Sequence, residues 1–475
     1  VNAATINDAV GINPGEVTLV NSGTYDGVGS PTFANGFIWT YGNLTGSGII
    51  TATGSITAST TNTHNISGSK ELHVSGAAAF NNITVTMSGT SKLVVKSGGV
   101  LTWDTNGDRF FSGTSSNEFL IESGGIFTKT GNSILSILSI VNLTEGTVNV
   151  NAGSVNITGS GTSIYTFNNG IVNLNLGTSL IMSRSSGTGT YNITGTTFTG
   201  SGRLEVSNSA IANFESPILM STKLIANTGT INDNVGLQPG EVTIDYSGTY
   251  GGTGSPTFNN GFIWTYGNLT GSGIIHVTGS MTANSPNTHA IGDSKELHIS
   301  GAAAFNNITL TMSGTAKLII KSEGALTWDS FSGRDLFGTN LNAFIIETGG
   351  ELSKTGNSYL AFSVPLSNFG KIKGVGSIVF SSAFTNAGIV SPGLITGLLT
   401  LNKFSNNNST LQIEINGSGA VGVDRDSLKI SGTPVTLNGN LEVKLGNGFV
   451  PDSAMQFGIA SLPAGYGTFE SLSSI

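Results

Sequence analysis

Apolar residues along this chain fall in short runs that alternate with polar ones at a period of two. Ile83-Thr84-Val85-Thr86-Met87 is strict: isoleucine, valine and methionine face one side, the threonines the other. Ile308, Leu310 and Met312 repeat the pattern, and Leu93 and Val95 alternate between Lys92 and Lys96. Val148 and Val150 alternate with Asn149 and Asn151, then Val155 and Ile157 with Asn156 and Thr158. Apolar spacing at i, i+3, i+4 is nowhere sustained, so strands are predicted throughout and helices are not. Turn signals separate the runs, among them Ser97-Gly98-Gly99, Ser123-Gly124-Gly125 and Gly159-Ser160-Gly161-Thr162.

Residues 5 to 133 recur without a gap as residues 230 to 358, at a constant offset of 225. Between Thr5 and Asp104, 25 of 100 positions differ. Gly36 to Ile50 returns letter for letter as Gly261 to Ile275. The differences include apolar swaps of similar volume, such as Val74 to Ile299, Val85 to Leu310 and Ile56 to Met281, as a close-packed interior tolerates. Tandem copies serve length or valency better than they serve one catalytic centre.

Strand-to-strand spacing of about 8–12 residues suits a sandwich, a barrel or a solenoid. Short turns, uncharged polar positions that can stack as ladders, and a strand rhythm unbroken through 134–229 favour the solenoid. The expected fold is therefore all-β, a parallel β-helix. Its organisation is a first repeat copy at 1–133, spacer coils at 134–229, a second copy at 230–358, and terminal coils with a cap at 359–475. With coils of about 20–25 residues, 225 residues give about ten coils, and the whole chain a rod on the order of 100 Å.

Only 10% of the 475 residues are charged, and Gly, Ser, Thr and Asn fill the deficit. The net charge is −8 with no Lys/Arg cluster, which argues against nucleic acid as a partner. No apolar run reaches 18 residues, so no transmembrane helix is expected. There is no cysteine, hence no disulfide framework. The opening Val1-Asn2-Ala3-Ala4 reads as a mature chain or an excised fragment.

Candidate chemistry is sparse. Phe37, Trp39 and Tyr41, with their twins Phe262, Trp264 and Tyr266, share one strand face in each copy. Facing out, Trp39, Tyr41, Trp264 and Tyr266 would form ligand-binding platforms for sugar rings. Facing in, they would form a bulky core layer, which the size of the rings favours. Trp103 and Trp328 read as core. Asp104-Thr105-Asn106-Gly107-Asp108 places oxygen ligands at alternating positions, as calcium loops do, but lacks the distal glutamate, and a solvated turn is expected. Asp424-Arg425-Asp426 reads as a structural turn, and His73 and His298 as solvated. No catalytic residue, metal or cofactor is expected. Thr84/Thr86 and Thr309/Thr311 permit a further reading, ice binding by flat threonine ladders.

The last segment carries Asn386-Ala387-Gly388-Ile389 with Ser391-Pro392-Gly393, then Leu411-Gln412-Ile413-Glu414-Ile415, Asp426-Ser427-Leu428-Lys429-Ile430-Ser431-Gly432 and Leu437-Asn438-Gly439-Asn440-Leu441-Glu442-Val443. This order resembles the terminal coils of bacterial autotransporter-like and other surface β-helix proteins. The resemblance implies a right-handed parallel β-helix, contact with bacterial export machinery, and an extracellular or cell-surface address. It also implies a non-enzymatic role as adhesin or stalk, with a surface glycan or another cell-surface protein as partner. A carbohydrate-binding module or polysaccharide-degrading β-helix is the alternative.

Overall fold

The computed structural model describes residues 1–159, 162–187, 189–405, 408–433, 435–463 and 467–474; Ser160 and Gly161 of one anticipated turn lie outside them. Sixty strands and no helix make up the described residues, and the named strands pair in parallel. This is a β-solenoid, as the alternation and the short turns predicted. A turn takes from 18 residues, Leu366 pairing with Phe384, to 32, Leu428 pairing with Ala460. The range is wider than the anticipated 20–25 because corner loops differ in length.

Two compact units are present: Val1–Val242 with Gly248–Tyr250, and Thr243–Ser247 with Gly251–Ile475. In the first unit each turn from Gly23 to Thr199 contributes a strand to three faces. One face runs upward through Gly23–Asp26, Gly42–Leu44, Thr63–Ile66 and Thr84–Met87. The second runs through Ile49–Ala52, Glu71–Val74, Lys92–Val95 and Glu118–Ile121. The third runs through Glu16–Leu19, Gly36–Trp39, Ser55–Ala58, Ala77–Asn81 and Val100–Asp104. The second unit stacks by the same rules, with Met281–Ala283, Ala302–Asn306, Ala325–Asp329 and Glu351–Thr355 in one face.

Period-two alternation drives this arrangement. Inward residues stack on their like in the next turn: Val74 on Val95, Ile121, Leu143, Phe167 and Ile193, all buried. Six rings, Trp39, Phe80, Trp103, Phe111, Phe119 and Phe127, run through the first unit's core with centroids 5.1–6.4 Å apart. The predominantly edge-on geometry suits aromatic quadrupoles.

Corners are set by how closely turns approach. Gly98 has φ +76 and its twin Glu323 has φ +69, so this corner position accepts a side chain despite the strain. Gly99 and Gly324 are different. A Cβ on either would collide with the carbonyl oxygen of the turn below, Val74 or Ile299. The backbones touch there, and only glycine fits.

The terminal segment extends the stack by pairing: Asn440–Leu445 lies on Thr410–Ile415, and Ser471–Ser474 lies on Asn440–Val443. Ser471–Ser474 is exposed at every position.

Candidate functional site

The aromatic candidates separate. Trp39 and Trp264 are fully buried in the core and have no surface to offer a sugar ring. Each donates its indole N–H 3.3 Å to a corner carbonyl, Gly42 or Gly267. Tyr41 and Tyr266 do not share their face. The strands stop at Trp39 and Trp264, the chain bends at Thr40-Tyr41 and Thr265-Tyr266, and both tyrosines are half-buried at that corner. The paired platform of Trp39 with Tyr41, and of Trp264 with Tyr266, is therefore not assembled. Tyr266 instead meets the exposed Tyr246 edge-on at 6.2 Å. Trp103 and Trp328 are buried, as anticipated.

Behind Trp39 and behind Trp264 lies a histidine that sequence reasoning passed over. His64 stands edge-on to Trp39 at 4.8 Å, with Nε2 2.8 Å from Trp39 O and Nδ1 2.9 Å from Asn62 O. His289 repeats this with Trp264 O at 2.8 Å and Asn287 O at 3.0 Å. Burial pushes both imidazoles below their ordinary pKa, against the pull of the surrounding carbonyls.

Four lysines are also interior. Lys129 occupies an inward position between Trp103 and Val150 and donates to Thr130 O (2.6 Å), Gly131 O (2.7 Å) and Ala152 O (3.1 Å). Its twin Lys354 donates to Gly356 O at 2.7 Å. Burial lowers both amines from 10.5 to about 8. Lys70 and Lys295 reach Gly27 O and Gly252 O, each at 2.8 Å. These amines bind stacked corner carbonyls within their own interior; the sequence signal was a lysine at an inward place in the alternation.

Several carboxylates are equally occupied. Asp8 accepts from the backbone N–H groups of Val10, Gly11 and Ile12 and from the Tyr25 hydroxyl at 2.7 Å. Asp233 and Tyr250 form the same lock in the second copy. Asp104 accepts from Thr130 Oγ1 and Asp108 from Ile134 N, so the calcium-like loop is tied to the next turn at two separate points. Among the described residues, no group of three His, Cys, Asp or Glu is placed to hold a metal ion. Asp424 and Asp426 do not work as a pair. Asp424 accepts from Ala420 N, whereas Asp426 is buried and accepts from Gly397 N and Glu414 N, each at 2.8 Å. Burial raises Asp426 from 3.8 to about 7.

His73 and His298 were expected in solvent. Neighbouring strands cover them: His298 is buried, His73 half-buried, and each ring binds the glutamate two residues earlier, Glu71 at 2.7 Å and Glu296 at 2.8 Å.

What remains open to solvent is the outward side of the faces. On the third face of the first unit one row of register partners reads Thr18, Ile38, Thr57, Ala79, Thr102, Thr128, Asn149, Asn173, Thr199. None is charged. The side chains bond along the row: Asn149 Nδ2 to Thr128 Oγ1 at 3.3 Å, Asn173 Nδ2 to Asn149 Oδ1 at 2.7 Å, and Thr199 Oγ1 to Asn173. A second ladder joins Asn232 to Asn213 and Asn213 to Asn192, at 2.9 and 3.0 Å. In the second unit the matching row begins Ile263, Thr282, Ala304, Thr327, Ser353 and then meets Lys373. Thr84 and Thr86 lie in shorter rows: Thr86 pairs with Asn65 and Ser112, and Thr311 pairs with Ala290 and exposed Phe337.

Compared with known proteins, the chain matches no family model, and no curated protein matches it as a relative. The fold is compatible with a β-helix protein, and among the described residues there is no helix long and apolar enough to cross a membrane.

Proposed function

We propose that this chain is an exported adhesive or scaffolding β-solenoid, of the kind the terminal motifs resemble, working at a bacterial surface or outside the cell through its faces. One observation supports this reading above the others: the nine-turn row from Thr18 to Thr199 is uncharged throughout and in register, and its last four members, Thr128 to Thr199, are joined by side-chain hydrogen bonds. Such a surface is already ordered before it meets a partner, so little side-chain entropy is lost on contact. Its repetition turns weak contacts into avidity. The partner is a surface glycan or another cell-surface protein.

The test is retention of the full chain on a panel of surfaces. Cell-wall polysaccharides, glycan-coated beads and intact bacterial cells would be compared with an inert protein of equal size. The double variant Thr57→Lys/Thr102→Lys places two charges in the row without touching the core, and is expected to lower retention on intact cells several-fold. Retention on no surface, or retention unchanged in the variant, rejects the adhesive reading. Cleavage of a neutral glycan or polyuronide by the wild-type chain would make it an enzyme instead.

A further inference from the structure

The two copies diverge sharply at one surface, and the second copy gains aromatic groups there. Ile134 of the first becomes Tyr359, Asp108 becomes Gly333, Phe110 becomes Asp335, Ser112 becomes Phe337 and Asn106 becomes Phe331. Tyr359, Phe337 and Phe331 are 47%, 46% and 79% exposed.

The Tyr359 ring does not stand out into solvent. A Cβ on Gly333 would fall 2.7 Å from Tyr359 Cζ and 2.9 Å from Cδ1, and closer still to Cε1. The phenol therefore lies along the sheet in the space a side chain at 333 would fill. At 47% exposed, the residue is still open to solvent. The first copy cannot do this, because Asp108 carries a side chain there and binds Ile134 N.

Around the ring the floor is small and polar. Asp335 lies two residues beyond Gly333, about 7 Å along the strand, and pairs in register with Ala361. Its carboxylate forms no ion pair among the described residues. Arg334 is held away by Asn307 Oδ1 at 2.8 Å. Ser358 Oγ ties the Phe331 carbonyl at 2.7 Å, which fixes the neighbouring loop beside Tyr359.

We propose that this surface is a glycan subsite: Tyr359 stacks against one sugar ring while Asp335 accepts hydrogen bonds from its hydroxyl or amino groups, with Phe337 bordering the site. A half-covered, immobilised ring beside a free acceptor suits a pyranose, which offers C–H groups on its face and donors at its edge. The carboxylate and the net charge of −8 favour a neutral or amino-sugar glycan over an acidic one. The inference is independent of the uncharged row on the third face, which uses other residues.

Affinity electrophoresis of the full chain through gels containing β-glucan, mannan, galactan, glycol chitin, alginate or polygalacturonate tests it. Retardation by at least one neutral or amino-sugar polymer is expected, with dissociation constants rising about tenfold in Tyr359→Ala and in Asp335→Asn. Gly333→Asp restores the first-copy residue and is expected to lose binding equally by displacing the ring. Thr57→Lys/Thr102→Lys is expected to retain binding here, which separates this site from the row. Unchanged far-ultraviolet dichroism and urea midpoints confirm that each variant folds. Retardation by none of the neutral or amino-sugar polymers overturns the proposal, as does equal binding by Tyr359→Ala. Self-association abolished by Tyr359→Ala in sedimentation would overturn it in favour of a contact between copies.

Discussion

Replacing Lys129 by methionine tests whether an amine truly sits charged inside the first unit. The side chain is fully buried and its proton is held only by backbone carbonyls. Its pKa falls from 10.5 to about 8, worth about 3 kcal/mol at roughly 1.4 kcal/mol per pH unit. Because the folded pKa is depressed, the unfolded chain holds more protons between pH 8 and 10.5. Stability from this group is complete above about 10.5, is lost as pH falls toward 8, and is flat below. Methionine is nearly isosteric and does not titrate. Urea unfolding of both proteins, followed by tryptophan fluorescence at pH 7.5, 8.5, 9.5 and 10, gives the stability gap at each pH. Lys70, Lys354 and Lys371 are also depressed, but both proteins carry them and they cancel in the difference. Wild type should gain about 2–3 kcal/mol on the variant between pH 7.5 and 10. A gap that stays level across this range would refute a depressed, buried amine.

Three further outcomes are expected. Gly99→Ala should cost more than about 3 kcal/mol because its Cβ meets the Val74 carbonyl, while Gly98→Ala, open to solvent but at positive φ, should cost about 1–2 kcal/mol; paired urea midpoints check the contrast. Trp39→Ala should destabilise by about 3–5 kcal/mol, and calorimetry showing a change under 1 kcal/mol would mean that the indole is not core. The depressed imidazoles of His64 and His289 should make stability fall as pH drops below about 6.5; the fall should shrink in His64→Gln/His289→Gln, and an identical profile in that variant would reject the assignment.

The fold was legible because alternation is nearly the whole of its code. Val85 and Met87 face inward and Thr84 and Thr86 outward, as the pattern dictates. Two kinds of residue escaped it. Tyr41 was assigned to Trp39's face because period two was carried across a corner, where the chain turns and the count restarts. Lys129, His64 and Asp8 were passed over as interior groups because polar residues are read as outward by default, although Lys129 and His64 stand at inward places in the alternation. What brings them in is the supply of corner carbonyls and N–H groups created by stacking, which exists only once the turns are assembled. The subsite around Tyr359 depends on the empty space above Gly333, a feature of two neighbouring turns that no single stretch of sequence displays.

The side-chain ladders of the first unit have a direction. In each asparagine step the later turn gives its N–H to the earlier one: Asn65 to Asn43, Asn173 to Asn149, Asn213 to Asn192, Asn232 to Asn213. Carboxylates receive the same one-way donation, Glu118 from Asn142 and Glu205 from Asn227. Aligned amides polarise one another, so a row of them behaves like a short string of batteries wired in series. An asparagine placed one turn earlier would find its neighbour's proton waiting, whereas a lysine there would face a terminal of its own sign.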